Sequence, residues 1–145
     1  MLAGKGRTIS GMIKKELKKA NGNTFFEAER KADNAYIHVN WIGIQSLEMV
    51  LLGASQLLHM LRAQPCPAIL NSNKELIGPW HDGASFLGSK WALQAKNLGL
   101  AYFAHVMAPG VYGQSSFQNF YQFGHQYLQI ETFTTDAEAE AWLRS

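Results

Sequence analysis

Apolar and polar positions change their spacing several times along this chain, and each change predicts an element. From Thr8 to Ala20, the apolar residues Ile9, Met12, Ile13 and Leu17 recur at helical spacing with lysines on the opposite face. That pattern predicts a basic amphipathic helix, which Asn21-Gly22-Asn23 would end. Thr24–Arg30 and Ala35–Trp41 then read as the two strands of a hairpin, with Asp33-Asn34 supplying the turn. In the second strand Tyr36, His38 and Asn40 share one face, and Ile37, Val39 and Trp41 the other. Gly43 breaks the strand. Ser46 is placed to cap a helix running to Arg62, with Leu47, Val50, Leu51, Ala54, Leu57, Leu58 and Leu61 as its stripe. Pro65 and Pro67 end it.

The second half alternates short apolar runs with helical patterns. Pro67-Ala68-Ile69-Leu70 reads as a strand covered on both faces. A polar stretch from Asn71 to Gly78 leads to Pro79-Trp80-His81-Asp82, where Asp82 is expected to cap a helix burying Phe86, Leu87, Trp91, Ala95 and Leu98, closed by Gly99. Leu100–Met107 is a further strand, containing His105 and broken by Ala108-Pro109-Gly110. Ser115 or Ser116 is the expected cap of a third helix, with Phe117, Phe120 and Tyr121 inward and Gly124 as its stop. Tyr127–Phe133 alternates as the last strand. Thr135 with Glu138 forms a capping box before Ala139, Trp142 and Leu143. The order ββαβαβαβα requires right-handed crossovers and a mostly parallel sheet, its first strand joining as an antiparallel edge. No internal repeat or linker interrupts it. The expected organisation is a basic segment over 1–22 and one α/β domain over 23–145.

Composition narrows the classes. At 145 residues and 47% apolar, the chain can bury a core of its own. Charge is uneven. Lys5, Arg7, Lys14, Lys15, Lys18 and Lys19 face Glu16 alone in the first twenty residues, leaving seven basic against ten acidic residues of the totals of 13 and 11. The body is mildly acidic, which argues against a nucleic-acid surface. Cys66 is the single cysteine, so no internal disulfide or multi-thiolate metal site is available. No run reaches the roughly 18 apolar residues of a membrane span, and the start lacks the apolar stretch of a signal peptide, so a cytoplasmic location is expected. Only four apolar residues in the basic helix would make its contact with an anionic membrane surface weak.

The spacing of the reactive side chains forms no catalytic motif. Gly4-Lys5-Gly6-Arg7-Thr8 lacks the preceding strand and the glycine spacing of a phosphate loop. The five histidines, His38, His59, His81, His105 and His125, show no metal-ligand spacing. His81-Asp82 is the only adjacent histidine–carboxylate pair, and a capping role for Asp82 competes with an acid–base role for the pair. His105 inside an apolar strand reads as a hydrogen-bonded core residue before it reads as a ligand. Cys66, next to two prolines, has no basic neighbour to activate it. No catalytic residue, metal or cofactor is expected from these patterns.

Three stretches carry a family texture. They are Tyr36-Ile37-His38-Val39-Asn40-Trp41-Ile42-Gly43, then Ile69-Leu70-Asn71 followed by Gly78-Pro79-Trp80, and Ala95-Lys96-Asn97-Leu98-Gly99-Leu100-Ala101. With the element order, residues 24–143 resemble the SpoIIAA-like fold, which contains the STAS domains. The resemblance implies a regulatory or binding module without catalysis, and some of its members suggest carriage of an apolar or lipid-like ligand. One departure matters. Anti-sigma-factor antagonists of this family carry Asp-Leu-Ser after the third strand and then an Asp-Ser pair whose serine is phosphorylated. Here the matching stretches read Asn71-Ser72-Asn73 and Pro79-Trp80, so that phosphorylation switch is not carried over.

The expected site follows from the rule that open α/β sheets bind at the C-terminal ends of their strands. Asn71, Ser72, Trp80, His81, Asp82, Met107, Tyr112 and Ser115 are the residues placed there, with Trp80 as the roof of a crevice. The expected partner is a protein or a small ligand, with a homodimer as a further expectation because a sheet of this topology has edges to protect. An apolar or lipid-like ligand carrier and an enzyme using His81, Asp82 or His105 are the competing readings.

Overall fold

The hairpin expected between residues 24 and 41 forms, and it sits inside a wider sheet. The computed structural model describes residues 14–145. Their strands are β1 (Lys14–Lys18), β2 (Thr24–Arg30), β3 (Ile37–Trp41), β4 (Gly43–Ile44), β5 (Ala68–Ser72), β6 (Leu76–Ile77), β7 (Tyr102–Val106) and β8 (Gln129–Phe133). The helices are α1 (Leu47–Ala63), α2 (His81–Phe86), α3 (Ala92–Asn97), α4 (Val111–Gly124) and α5 (Asp136–Leu143), with Leu87–Trp91 wound as a π-helical segment between α2 and α3. Six strands make one sheet in the order β1-β2-β3-β5-β7-β8. β1 and β2 run antiparallel to their neighbours, while β3, β5, β7 and β8 are parallel.

Two expectations at the start of the chain are corrected. Lys14–Lys18 is a strand, not the second half of a helix, and it pairs with β2 from Lys14↔Glu29 to Lys18↔Thr24. Asn21-Gly22-Asn23 is therefore a hairpin turn: Gly22 takes φ +89° and Lys19 N–H donates to the Asn23 carbonyl at 2.8 Å. Breaker residues stop a helix and turn a hairpin equally well, and only the neighbouring strand decides between them. Of the expected helical stripe, Leu17 packs against the core, while Ile9, Met12 and Ile13 lie outside the described residues. β2 is consequently an interior strand, and β1 takes the edge.

Each step from β3 to β5, β7 and β8 moves in the same direction across the sheet, so α1 to α4 all cover one face. That face holds the larger core, with Phe26, Ile37, Val39, Trp41, Ile69, Phe103 and Ile130 from strands meeting Leu57, Leu61, Trp91 and Phe120 from helices. Among the described residues α5 alone crosses the other face, packing Ala139, Trp142 and Leu143 on Ala68, Leu70, Ala104, Val106 and Phe133. Two glycines permit the close packing under the helices. A Cβ on Gly53 would lie 2.4 Å from Trp41, and one on Gly88 would lie 2.4 Å from the Phe120 carbonyl oxygen. None of the described helices is long and apolar enough to cross a membrane.

Capping follows the sequence at two helices and departs from it at two. Ser46 Oγ accepts from Met49 N–H, and Thr135 Oγ accepts from Glu138 N–H, as expected. Asp82 is not a cap. Helix α2 begins two residues earlier than that cap implies, at His81 after Trp80, and Asp82 sits in its first turn, where a carboxylate still meets the positive end of the helix. Ser115 and Ser116 are not caps either, because α4 starts at Val111 after Gly110, whose φ of +87° swings the chain into the helix.

Candidate functional site

The C-terminal ends of β3, β5 and β7 open onto one end of the molecule. Two short strands finish that end. Gly43, at φ +78°, turns the chain after β3 so that its N–H donates to the Glu75 carbonyl, and β4 pairs with β6 as Gly43↔Leu76 and Ile44↔Ile77. This pair escapes sequence reading because two residues carry no period. It presents Ile44 and Ile77, 67% and 60% exposed. Beside it a cleft of ≈ 160 Å³ is lined by Gln45, Ser46, Leu47, Val50, Pro79, Trp80, His81, Asp82 and Gly83. Val111 and Tyr112 begin α4 at the same end, 72% and 62% exposed.

The residues expected to form one rim divide by position. Trp80, His81 and Asp82 line the cleft together. Tyr112 and Ser115 are exposed on α4, and Met107, at the end of β7, packs partly against the core. Asn71 and Ser72 do not belong to the rim. β5 runs on through Ser72, past the Leu70 boundary expected from the apolar run, and its pleat buries the two residues on opposite faces of the sheet. Trp80 roofs less than expected, being only 7% exposed. Its backbone N–H donates to Ser116 Oγ at 2.9 Å, its ring lies against Phe120 and His105, and its buried indole N–H has no acceptor among the described residues.

Asn71 instead organises a polar seam within the larger core. Its Oδ1 accepts from Trp41 Nε1–H at 2.8 Å, which fixes the amide orientation, and its Nδ2 then faces Asn73 Oδ1 and His105 Nδ1, each at 3.3 Å. His105 is stacked on Phe117 at 4.6 Å between centroids, with Phe103 at 6.2 Å. Complete burial pulls its pKa down to about 3, so the ring is neutral at physiological pH. With Nδ1 accepting from Asn71, the second ring nitrogen is assigned the proton and has no partner among the described residues. A sealed neutral ring of this kind sits poorly with the general-base reading of His105.

His81 and Asp82 gain no shared geometry either. His81 Nδ1 lies 3.3 Å from Asn119 Nδ2 of α4, a neutral partner. Burial raises the Cys66 thiol, as expected for an unreactive cysteine.

A second polar group, on the opposite face, was missed from sequence. His38 Nε2–H donates to Asp136 Oδ2 at 2.9 Å, and Lys74 Nζ donates to the same oxygen at 3.0 Å. Asn40 Nδ2 donates to Glu75 Oε2 at 2.7 Å. Burial works to raise the Asp136 pKa, but the hydrogen bonds from His38 and Lys74 outweigh it, and the carboxyl ends below its ordinary value. The strand alternation did place His38 and Asn40 on one face. Nothing local could have shown that a residue 98 positions later closes the pair. Among the described residues, no group of three or more His, Cys, Asp or Glu side chains is placed to hold a metal ion.

No protein-family model matches this chain, and no curated protein matches it.

Proposed function

We propose that this protein is a binding module of STAS-like architecture that acts without catalysis, docking a protein partner on the end of the sheet beside the Trp80 cleft. The observation that carries the reading is the exposure of Ile44, Ile77, Val111 and Tyr112 at that end. Large apolar side chains left this open cost solubility, and several at one end of a small domain fit a docking face. The STAS-like assignment rests on element order, on the parallel run β3-β5-β7-β8 and on a last helix alone on the second face.

The lipid-carrier reading has less support. An apolar cavity lies beneath the helices, between Trp41, Ala54, Leu57, Leu87, Trp91, Phe103 and Phe120, but its ≈ 20 Å³ holds about one water molecule and no acyl chain.

The double variant Ile77→Asp with Val111→Asp tests the docking reading, since both positions are exposed and the fold should persist. Proteins captured from the native cell extract by the wild type, and lost with the double variant at unchanged melting temperature, are the expected result. An unchanged set of captured proteins would overturn it.

A further inference from the structure

Among the described residues the sheet has two edges without a partner strand, and they are built differently. β1 is a defended edge: Lys14, Lys15 and Lys18 project from it exposed, and its register shifts between Leu17 and Lys18. Lysines and a bulge are devices that keep other strands from pairing. β8 (Gln129–Phe133) has neither lysine nor proline, and its register with β7 is unbroken from Tyr102↔Gln129 to Val106↔Phe133. Gln129 N–H donates to the Ala101 carbonyl and Met107 N–H to the Phe133 carbonyl, so odd-numbered residues turn their backbone toward β7. In a parallel ladder the alternate residues face the other way, which leaves Ile130 and Thr132 with outward N–H and C=O groups unclaimed by any described strand.

A groove flanks this edge on each face. Between β8 and α4 a groove of ≈ 260 Å³ is lined by Phe117, Gln118, Tyr121, Ile130, Glu131 and Thr132. On the α5 face a groove of ≈ 200 Å³ is lined by Tyr102, Gln129, Trp142, Leu143 and Ser145. An added strand would send alternate side chains into the two grooves in turn. The edge itself also carries an acidic side chain: Glu131 of β8 is exposed and has no basic partner among the described residues. Asp136 and Glu140 of α5 are already paired with Lys74 and Arg144, so Glu131 is the charge that selects at this edge.

We infer that β8 is a second docking site, separate from the Trp80 end, which takes an extended basic strand of a partner protein by main-chain pairing at Ile130 and Thr132. Apolar side chains of the incoming strand enter the groove under Tyr121 and Phe117, and a lysine or arginine pairs across from Glu131. Pairing of main chains supplies affinity, and the grooves with Glu131 supply selection. A second copy of this chain is a poorer occupant, because two-fold pairing centred on β8 sets Glu131 against its own image.

The test uses the full chain with an acetylated, amidated hexapeptide of alternating lysine and valine, and a glutamate–valine peptide as its counterpart. Amide hydrogen exchange should slow about tenfold or more at Ile130 and Thr132 with the basic peptide and remain unchanged with the acidic one. Thr132→Pro removes an outward donor that the native ladder does not use, so it should fold and abolish the protection. Glu131→Lys should weaken binding about fivefold. Three outcomes overturn the inference: no slowing at these two amides at millimolar basic peptide, equal protection by both peptides, or protection that grows with protein concentration when no peptide is present. Because Ile77→Asp leaves this edge untouched, loss of the Trp80-end reading would not alter the result.

Discussion

His38 and His105 stand on β3 and β7, with only β5 between them, yet they live in different solvents. His38 faces α5 with its side chain 26% exposed, against the carboxylate of Asp136. His105 faces the helical layer, wholly enclosed between Phe103, Phe117 and the Asn71 amide. Among the described residues, α1 to α4 cover one face of the sheet, and the eight-residue α5 covers part of the other. Burial on the first face forces the imidazole neutral. On the second, water still reaches the rim of the cluster and charge is tolerated. The same side chain becomes packing material in one place and a hydrogen-bond partner of a carboxylate in the other, by the number of layers above it.

The largest test of that contrast lies under the helices. Gly88→Val would drive its side chain into the Phe120 backbone, where neither element can yield, and should cost about 3 kcal/mol in urea unfolding. A loss too small to measure would show the helical layer to be looser than its packing implies.

His105 gives an effect of middling size and a distinct pH window. Its folded pKa of about 3 lies below the unfolded value near 6.5, so the unfolded chain takes up a proton first as the solution is acidified. Stability should therefore fall as the pH drops from about 6.5 toward 3, at up to about 1.4 kcal/mol per pH unit. His105→Phe should flatten that slope while losing about 1 to 2 kcal/mol at pH 7 through the stranded Asn71 amide. Unfolding free energies measured at half-unit pH steps would decide, and a slope unchanged in the variant would clear His105 of the role.

The smallest effect belongs to that carboxylate. Asp136→Asn removes a partly exposed carboxylate that His38 and Lys74 share, and should cost about 1 kcal/mol at pH 7 after allowance for solvent screening. The Asp136 pKa is lowered in the fold, so its contribution is complete above the ordinary carboxylate range and disappears as the pH falls through the lowered value. Wild type and variant should thus differ in melting temperature at pH 7 and converge at strongly acid pH. Equal melting at pH 7 would mean the carboxylate contributes nothing.

Much of this architecture was legible from the residues. The period-two alternation of Ile37 to Trp41 gave the faces of β3, the Ser46 and Thr135 signals gave two helix starts, and the β–α alternation gave a mostly parallel sheet. The candidate site was legible only in part. Trp80, His81 and Asp82 do share a cleft, but Asn71 and Ser72 are drawn into the sheet by two further residues of strand that an apolar run cannot announce. Ile44 and Ile77, two of the open apolar side chains at that end, sit in strands too short to leave a pattern.

What the sequence determined by itself was a set of features fixed within about one turn or one pleat: the Ser46 and Thr135 caps, the two faces of β3 and the alternation of strand with helix. The tertiary structure alone decided which side of the sheet each cover would take, that Lys14–Lys18 would join it as a strand, and that Asp136 would meet His38. Backbone periodicity is a local property of neighbouring residues, whereas burial and charge pairing depend on which distant surface arrives to exclude the water.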